Sequence, residues 1–196
     1  MPADEGERWR VFLAIEVPDG VRAALRAPSA ALEPLSALVR INPVERMHLT
    51  LHFLGQLPPA DVEQLPSTPA PIIAGRRRLR LAVQGVGAFP GMGRPRVLWA
   101  GVTGPDSDGL VALQAEIGRA LRAAGLKTED RFHPHLTLGR IRRPPQGDER
   151  RVLREWAARW DAVRFGDLPV NDVQLMRSQL GAGPPRYTTL ATFALQ

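Results

Sequence analysis

The sequence predicts an α+β protein of two lobes with internal pseudo-symmetry, and three observations carry that expectation. Short apolar runs alternate with helix-like segments between proline and glycine punctuation along the 196 residues. The tetrapeptide His-Leu-Thr-Leu occurs twice, at 48–51 and 135–138, with its histidines 87 positions apart. No uniform tandem period spans the chain, so the echo marks two comparable halves rather than an array.

The elements follow in order. "WRVFLAIEVP" reads as a buried strand, and "DGVRAALRAPSAALEPLSAL" as a helix interrupted or kinked at Pro28 and Pro34. "MHLTLHFLG" is the second strand, and the proline-rich "LPPADVEQLPSTPAPIIAG" is a surface connection with at most a short helix. "RRLRLAVQGVGAF" and "PRVLWAGVTG" are two strands joined by the loop "PGMGR". Asp106 and Ser107 are candidate N-caps for a helix whose apolar face is Leu110, Leu113, Ile117, Leu121 and Ala124, stopped by Gly125. "FHPHLTLGRI" is a strand, "DERRVLREWAARW" a helix with Leu153, Trp156 and Trp160 on one face, and "VNDVQLMRSQL" and "YTTLATFAL" are late strands. The whole, 1–196, reads as a single domain with one His-x-Thr in each lobe.

Composition bounds the function. A 44% hydrophobic and 23% charged chain is of the ordinary globular kind, long enough to bury a real core. With no cysteine there are no disulfides and no thiolate metal ligands, so a metal would need His, Asp or Glu. The charged opening "MPADEGERWR" precedes an apolar run, "VFLAIEV", too short for a signal-peptide core or a membrane span, so a cytoplasmic protein without a membrane association is expected. Net charge is +6 and the one lysine is Lys127; the remaining basic residues are arginines. Arginine binds phosphate bidentately, so an anionic partner such as RNA or a nucleotide fits, although a GC-rich genome produces the same bias.

The four histidines all lie in the two echoing segments: His48 and His52 in one, His133 and His135 in the other. Side chains alternate across a strand, so His48 and Thr50 share one face while Leu49, Leu51 and Phe53 share the other; His135 and Thr137 stand likewise against Leu136 and Leu138. Two imidazoles flanking one cleft suit displacement at phosphorus without a metal. A neutral one takes a proton from the attacking water and a protonated one gives a proton to the departing oxygen. The threonine hydroxyls would hydrogen-bond the non-bridging oxygens. By the same parity His52 and His133 join the pair on that face, which leaves open a four-histidine metal site; the acids near in sequence are Glu45, Glu129 and Asp130.

"HLTLHFLG" and "FHPHLTLGRI", with "RVFLAIEVP" and "FPGMGRPRVLWAGV", resemble the RNA 2′,3′-cyclic phosphodiesterases of the two-histidine (2H) phosphoesterase superfamily, the LigT-type or 2′-5′ RNA ligase-like enzymes. The likeness runs from Arg10 to the closing "YTTL". It implies a bilobal α+β fold with two antiparallel sheets lining a central cleft and helices packed outside. It also implies metal-free hydrolysis of a 2′,3′-cyclic phosphate to a 2′-phosphomonoester and, in some members, reversible 2′-5′ joining of RNA. No cofactor is implied, and the partners are RNA ends bearing the cyclic phosphate, or cyclic nucleotides. By the family's pattern His48 is the acid for the leaving 3′-oxygen and His135 the base for water, with Thr50 and Thr137 on the phosphate.

Arg140 stands where the resemblance places a basic phosphate contact, yet strict alternation turns it from the cleft unless Gly139 supplies a bulge. Position 52 departs from the pattern, which more often has lysine there, so His52 is expected at the cleft rim without a chemical duty. Phe12, Phe53 and Trp99 are candidates to stack a base, but Phe53 shares the leucine face and Trp99 lies in an apolar run, which assigns them to the core. The clusters "GRRRLR" and "RIRRPP" either extend an RNA surface or are solvated faces. Two further readings stay open: hydrolysis of another cyclic or 2′-5′-linked nucleotide, and a module that binds an RNA terminus without catalysis. A monomer is expected.

Overall fold

The computed structural model describes residues 6–129, 131–179, 181 and 185–196. In chain order the elements are β1 (Trp9–Glu16), α1 (Asp19–Ala30), β2 (Val39–Ile41), β3 (His48–Leu57), α2 (Pro59–Gln64), α3 (Ala70–Ala74), β4 (Leu79–Phe89) and β5 (Val97–Thr103). Then follow α4 (Ser107–Ala123), β6 (His135–Ile141), α5 (Asp148–Trp160), β7 (Arg164–Val170), β8 (Asp172–Gln179) and β9 (Arg186–Ala194). The expected α+β architecture is present as two antiparallel sheets, ordered β3-β1-β8-β9 and β2-β6-β5-β4-β7. Each sheet contributes one His-x-Thr strand, and β3 and β6 meet between the sheets.

Alternation explains the core. On β1, Val11, Leu13 and Ile15 are buried on one face, and on β6 Leu136 and Leu138 are fully buried. Helix α1 leaves the first sheet yet packs on β7 of the second, whereas α4 leaves the second and packs both on β4 of that sheet and on β3 of the first. This exchange closes the two sheets into one continuous apolar interior.

α1 runs through Pro28 rather than breaking there, and the Pro28 carbonyl accepts a hydrogen bond from the buried Trp156 indole of α5 at 2.9 Å. Pro34 falls in a short 3-10 turn, Glu33–Leu35. The proline-rich connection is more ordered than its composition suggests: α2, a 3-10 turn and α3 are pinned by buried Val62, Leu65 and Ile73. α4 starts at Ser107 as expected, but the Asp106 side chain does not cap it; that carboxylate accepts the Arg80 backbone N–H at 2.8 Å instead. Ala124 lies past the helix end and is exposed, and Gly125 adopts the left-handed conformation (φ 83°) that stops it.

Two strands escape the sequence pattern. β2 is three residues long, and β7 carries Gly166 and Pro169, which suppress a strand signature; as an edge strand β7 tolerates a residue without an N–H. Leu180, placed in a strand by the sequence, lies outside the described residues, as does Asp130.

His52 makes a buried polar contact between β3 and α4. Its Nε2–H donates to the Gln114 carbonyl at 2.8 Å, and a Cβ at Gly118 would stand 2.8 Å from its Cε1. Gly118→Ala is therefore expected to destabilise despite alanine's better helix propensity, by a net of roughly 1 kcal/mol. Urea unfolding of the variant reads this directly, and a rise in midpoint would count against the close contact.

Candidate active site

His48 opens β3, opposite Glu16 of β1, and Thr50 follows opposite Ala14. Their side chains share the cleft face, while Leu49 and Leu51 are buried. The ladder then slips: Thr50 pairs Ala14 but His52 pairs Leu13, so Leu51 is an extra residue. The bulge inverts the parity beyond it. His52, expected at the cleft rim, turns into the core at 3% exposure, and Phe53, expected in the core, emerges on the cleft face at 42%.

β6 repeats the device. His135 lies opposite Gly101 of β5 and Thr137 opposite Trp99. The slip falls at Leu138, the position equivalent to Leu51: Thr137 pairs Trp99 while Gly139 pairs Leu98. Gly139 is buried on the core side and Arg140 is exposed on the cleft side; a bulge does redirect Arg140, but the unpaired residue is Leu138 rather than Gly139, which itself pairs Leu98. Arg140 is near enough for its charge to act on His135. Trp99, assigned to the core by its apolar surroundings, is instead half-buried on the cleft face, its indole lying across Gly87 where a Cβ would meet it at 2.3 Å.

Both bulges are braced from outside their ladders. The Gln114 side-chain amide reaches the Leu51 carbonyl at 3.4 Å. Asn42 donates its backbone N–H to the Leu138 carbonyl at 2.7 Å and its side-chain amide to the Thr137 carbonyl at 3.0 Å. Neither brace has a sequence signature; each follows from residues far apart in the chain.

The two imidazoles are held alike. His48 Nδ1 donates to the Arg46 carbonyl at 2.9 Å and His135 Nδ1 to the His133 carbonyl at 2.6 Å. A carbonyl only accepts, so each neutral ring carries its proton on Nδ1 and presents a lone pair at Nε2. No described residue hydrogen-bonds either Nε2. Burial holds the His48 pKa below the ordinary histidine range, partly offset by the Arg46 carbonyl. Burial likewise lowers His135, the His133 carbonyl opposes it, and the charges of Arg140 and His133 lower it further.

Aromatic rings line both histidines. Phe12 stacks under His48 with centroids 4.7 Å apart, and Tyr187 of β9 meets His48 edge-on at 5.1 Å. Phe89 meets His135 edge-on at 5.0 Å and touches Trp99 at 5.3 Å. Phe12 is 1% exposed, so it supports the imidazole and has no free face for a base. Tyr187 escaped the sequence reading, although as the only tyrosine it was visible there.

The four histidines do not gather. His52 faces α4, Glu45 is tied to Arg26 at 2.8 Å, and among the described residues no three His, Asp or Glu side chains cluster in a metal-binding arrangement. The basic clusters are largely neutralised: Arg76 pairs Glu116, Arg77 and Arg80 pair Asp106, and Arg143 pairs Glu149 at 2.6 Å. Among the described residues no helix is long and apolar enough to cross a membrane.

Residues 12–182 match the family model of the 2′-5′ RNA ligase superfamily. The chain belongs to that superfamily. A Thermus thermophilus protein named RNA 2′,3′-cyclic phosphodiesterase is 34% identical over 200 residues, covering 95% of this chain and 90% of its own. A Methanothermobacter thermautotrophicus protein of the same name is 28% identical over 186 residues, covering 95% and 98%. Among solved structures, Escherichia coli LigT complexed with 3′-AMP superposes with a TM-score of 0.72 at 27% identity, over 96% of this chain and 99% of that one. The family's bilobal fold is thus the fold of this member.

The charges around His135 give a measurable asymmetry. Both imidazoles should titrate below about 6.5 in NMR spectra. A guanidinium penalises the imidazolium, so Arg140→Gln should raise the His135 pKa and leave that of His48 in place. Equal movement of both, or none, would contradict the placement of Arg140. Asn42→Ala, which strips the Thr137 carbonyl of its donor, should cost about 1 kcal/mol in urea unfolding.

Proposed function

We propose that this protein hydrolyses RNA 2′,3′-cyclic phosphates to 2′-phosphomonoesters by paired histidine acid–base catalysis without a metal. The observation that carries the reading is the matched pair of imidazoles, each anchored through Nδ1 to a carbonyl two residues earlier, with Nε2 left for proton transfer. The names of the relatives support the same substrate class.

In this reading His135 Nε2 takes a proton from water as its oxygen attacks phosphorus. His48, protonated at Nε2, passes that proton to the 3′-oxygen as the P–O3′ bond breaks, leaving the phosphate on O2′. Thr50, Thr137 and Arg140 bind the non-bridging oxygens where charge builds up. A cyclic diester carries one negative charge and a strained ring, so a few such donors suffice. With an RNA 5′-hydroxyl in place of water, the same proton transfers give a 2′-5′ linkage.

Burial disfavours the imidazolium that the acid role requires, so the substrate must supply what the fold withholds. A bound phosphodiester anion favours the charged ring. The kcat/KM profile should therefore be bell-shaped with its maximum below pH ~6.5, and the alkaline limb of kcat should lie at higher pH than that of kcat/KM.

The test is hydrolysis of a nucleoside 2′,3′-cyclic monophosphate in EDTA, with the product identified by ³¹P NMR. A 2′-phosphate is expected, and His48→Ala and His135→Ala should each lose on the order of 10² to 10⁴ in kcat. Loss of turnover on chelation, or survival of either alanine variant, would overturn the mechanism.

A further inference from the structure

Beside the histidine strand of the second sheet, two arginines face one another. Arg40 of β2 and Arg140 of β6 are direct cross-strand partners. Such partners project from one face with Cβ atoms roughly 4.5–5.5 Å apart, and like charges there are destabilising. The face is that of the cleft, because the alternate residues occupy the other side: Val39 is 1% exposed, and a Cβ at Gly139 would press to 2.7 Å from Val39 Cγ1. Both arginines are exposed, and among the described residues no carboxylate lies within ion-pair distance of either. Arg76, Arg77, Arg80 and Arg143, by contrast, each have an acidic partner.

An uncompensated like-charge pair beside a reaction centre calls for anions from outside. Arg140, whose charge reaches His135, is placed for the reacting phosphate. β2 is the edge of its sheet, so Arg40 stands one strand further out, about 4.8 Å away. A nucleoside cyclic phosphate brings a single phosphate, which leaves Arg40 without a partner. A chain of nucleotides brings another at the next linkage.

We propose that Arg40 binds the internucleotide phosphate preceding the cyclic terminus, so that the protein selects oligonucleotide ends over free cyclic nucleotides. This rests on the hydrolase reading above, which supplies the terminal phosphate as the reference point. Arginine suits the role through its bidentate fit to a phosphodiester. β2 then serves as a phosphate rail on the cleft's rim, and its shortness leaves the edge open for the RNA strand to leave.

The experiment compares kcat/KM for a short RNA ending in a 2′,3′-cyclic phosphate with that for the corresponding nucleoside cyclic phosphate. Arg40→Gln should lower the ratio of the two roughly tenfold or more, and Arg40→Lys should restore part of it. A ratio unchanged from wild type, including an equal fall on both substrates, would overturn the proposal. A second readout does not depend on turnover: binding of an RNA carrying a 2′-phosphate end, measured against salt. In Arg40→Gln the slope of log affinity against log salt should be shallower by ~0.7, and an unaltered slope would overturn the contact. If wild type hydrolyses neither substrate, the hydrolase reading fails, and the salt slope alone decides whether Arg40 meets a backbone phosphate.

Discussion

One extra residue in each histidine strand governs what faces the cleft. A regular strand beginning at His48 would send His52 to the cleft and Phe53 to the core, and one beginning at His135 would bury Arg140. The slips at Leu51 and Leu138 invert both outcomes at equivalent positions. Each strand is thereby divided into its His-x-Thr stretch and a second stretch that presents a different side chain to the cleft: a phenyl ring on one side, a guanidinium on the other. A bulge leaves ladder groups without their usual partners, and a buried carbonyl left alone costs ~1–3 kcal/mol. Gln114 and Asn42 meet that need, which ties the active face to α4 on one side and to β2 on the other.

The histidines show how the same packing that fixes an imidazole also lowers its affinity for a proton. Phe12, Tyr187 and Phe89 immobilise the rings and strip water from them, which lowers their pKa values. The carbonyls on Nδ1 work in the opposite direction, because they favour the protonated ring, while fixing the tautomer that exposes Nε2. A neutral, oriented imidazole is ready as a base.

The division between what was legible in the sequence and what was not runs along the range of the interactions. The His-x-Thr strands and α4 were legible because alternation and the 3.6-residue period are local properties. The destinations of His52 and Phe53 were not, because a bulge is a relation between strands and "HLTLH" itself reads as regular alternation; Trp99 faces the cleft by plain alternation between buried Leu98 and Ala100, which the apolar run around it concealed. At Gly139 the sequence did hold a clue, since a glycine beside a basic residue on a motif strand marks a place where the ladder can slip. Asn42, Gln114 and Tyr187 are brought to the site by pairings across 95, 63 and 139 residues of chain, and no local pattern encodes them. β2 and β7 are strands because of their neighbours rather than their own propensity.

The distribution of charge carries the same lesson. The eye is drawn to "GRRRLR" and "RIRRPP", but most of those arginines are spent on Asp106, Glu116 and Glu149, and such exposed pairs contribute little to stability. What matters for an anionic substrate is positive charge without a carboxylate beside it, facing the reaction centre. Arg40 and Arg140 stand on the cleft face of neighbouring strands with no carboxylate at ion-pair distance among the described residues, and they are far apart in sequence. A positive pair held in register by a sheet is pre-organised: the cost of bringing the two charges together is met on folding, and an anion bound between them would relieve it. A clustered run on a loop or strand end offers no such gain, since its neighbours on the protein have already answered its charge.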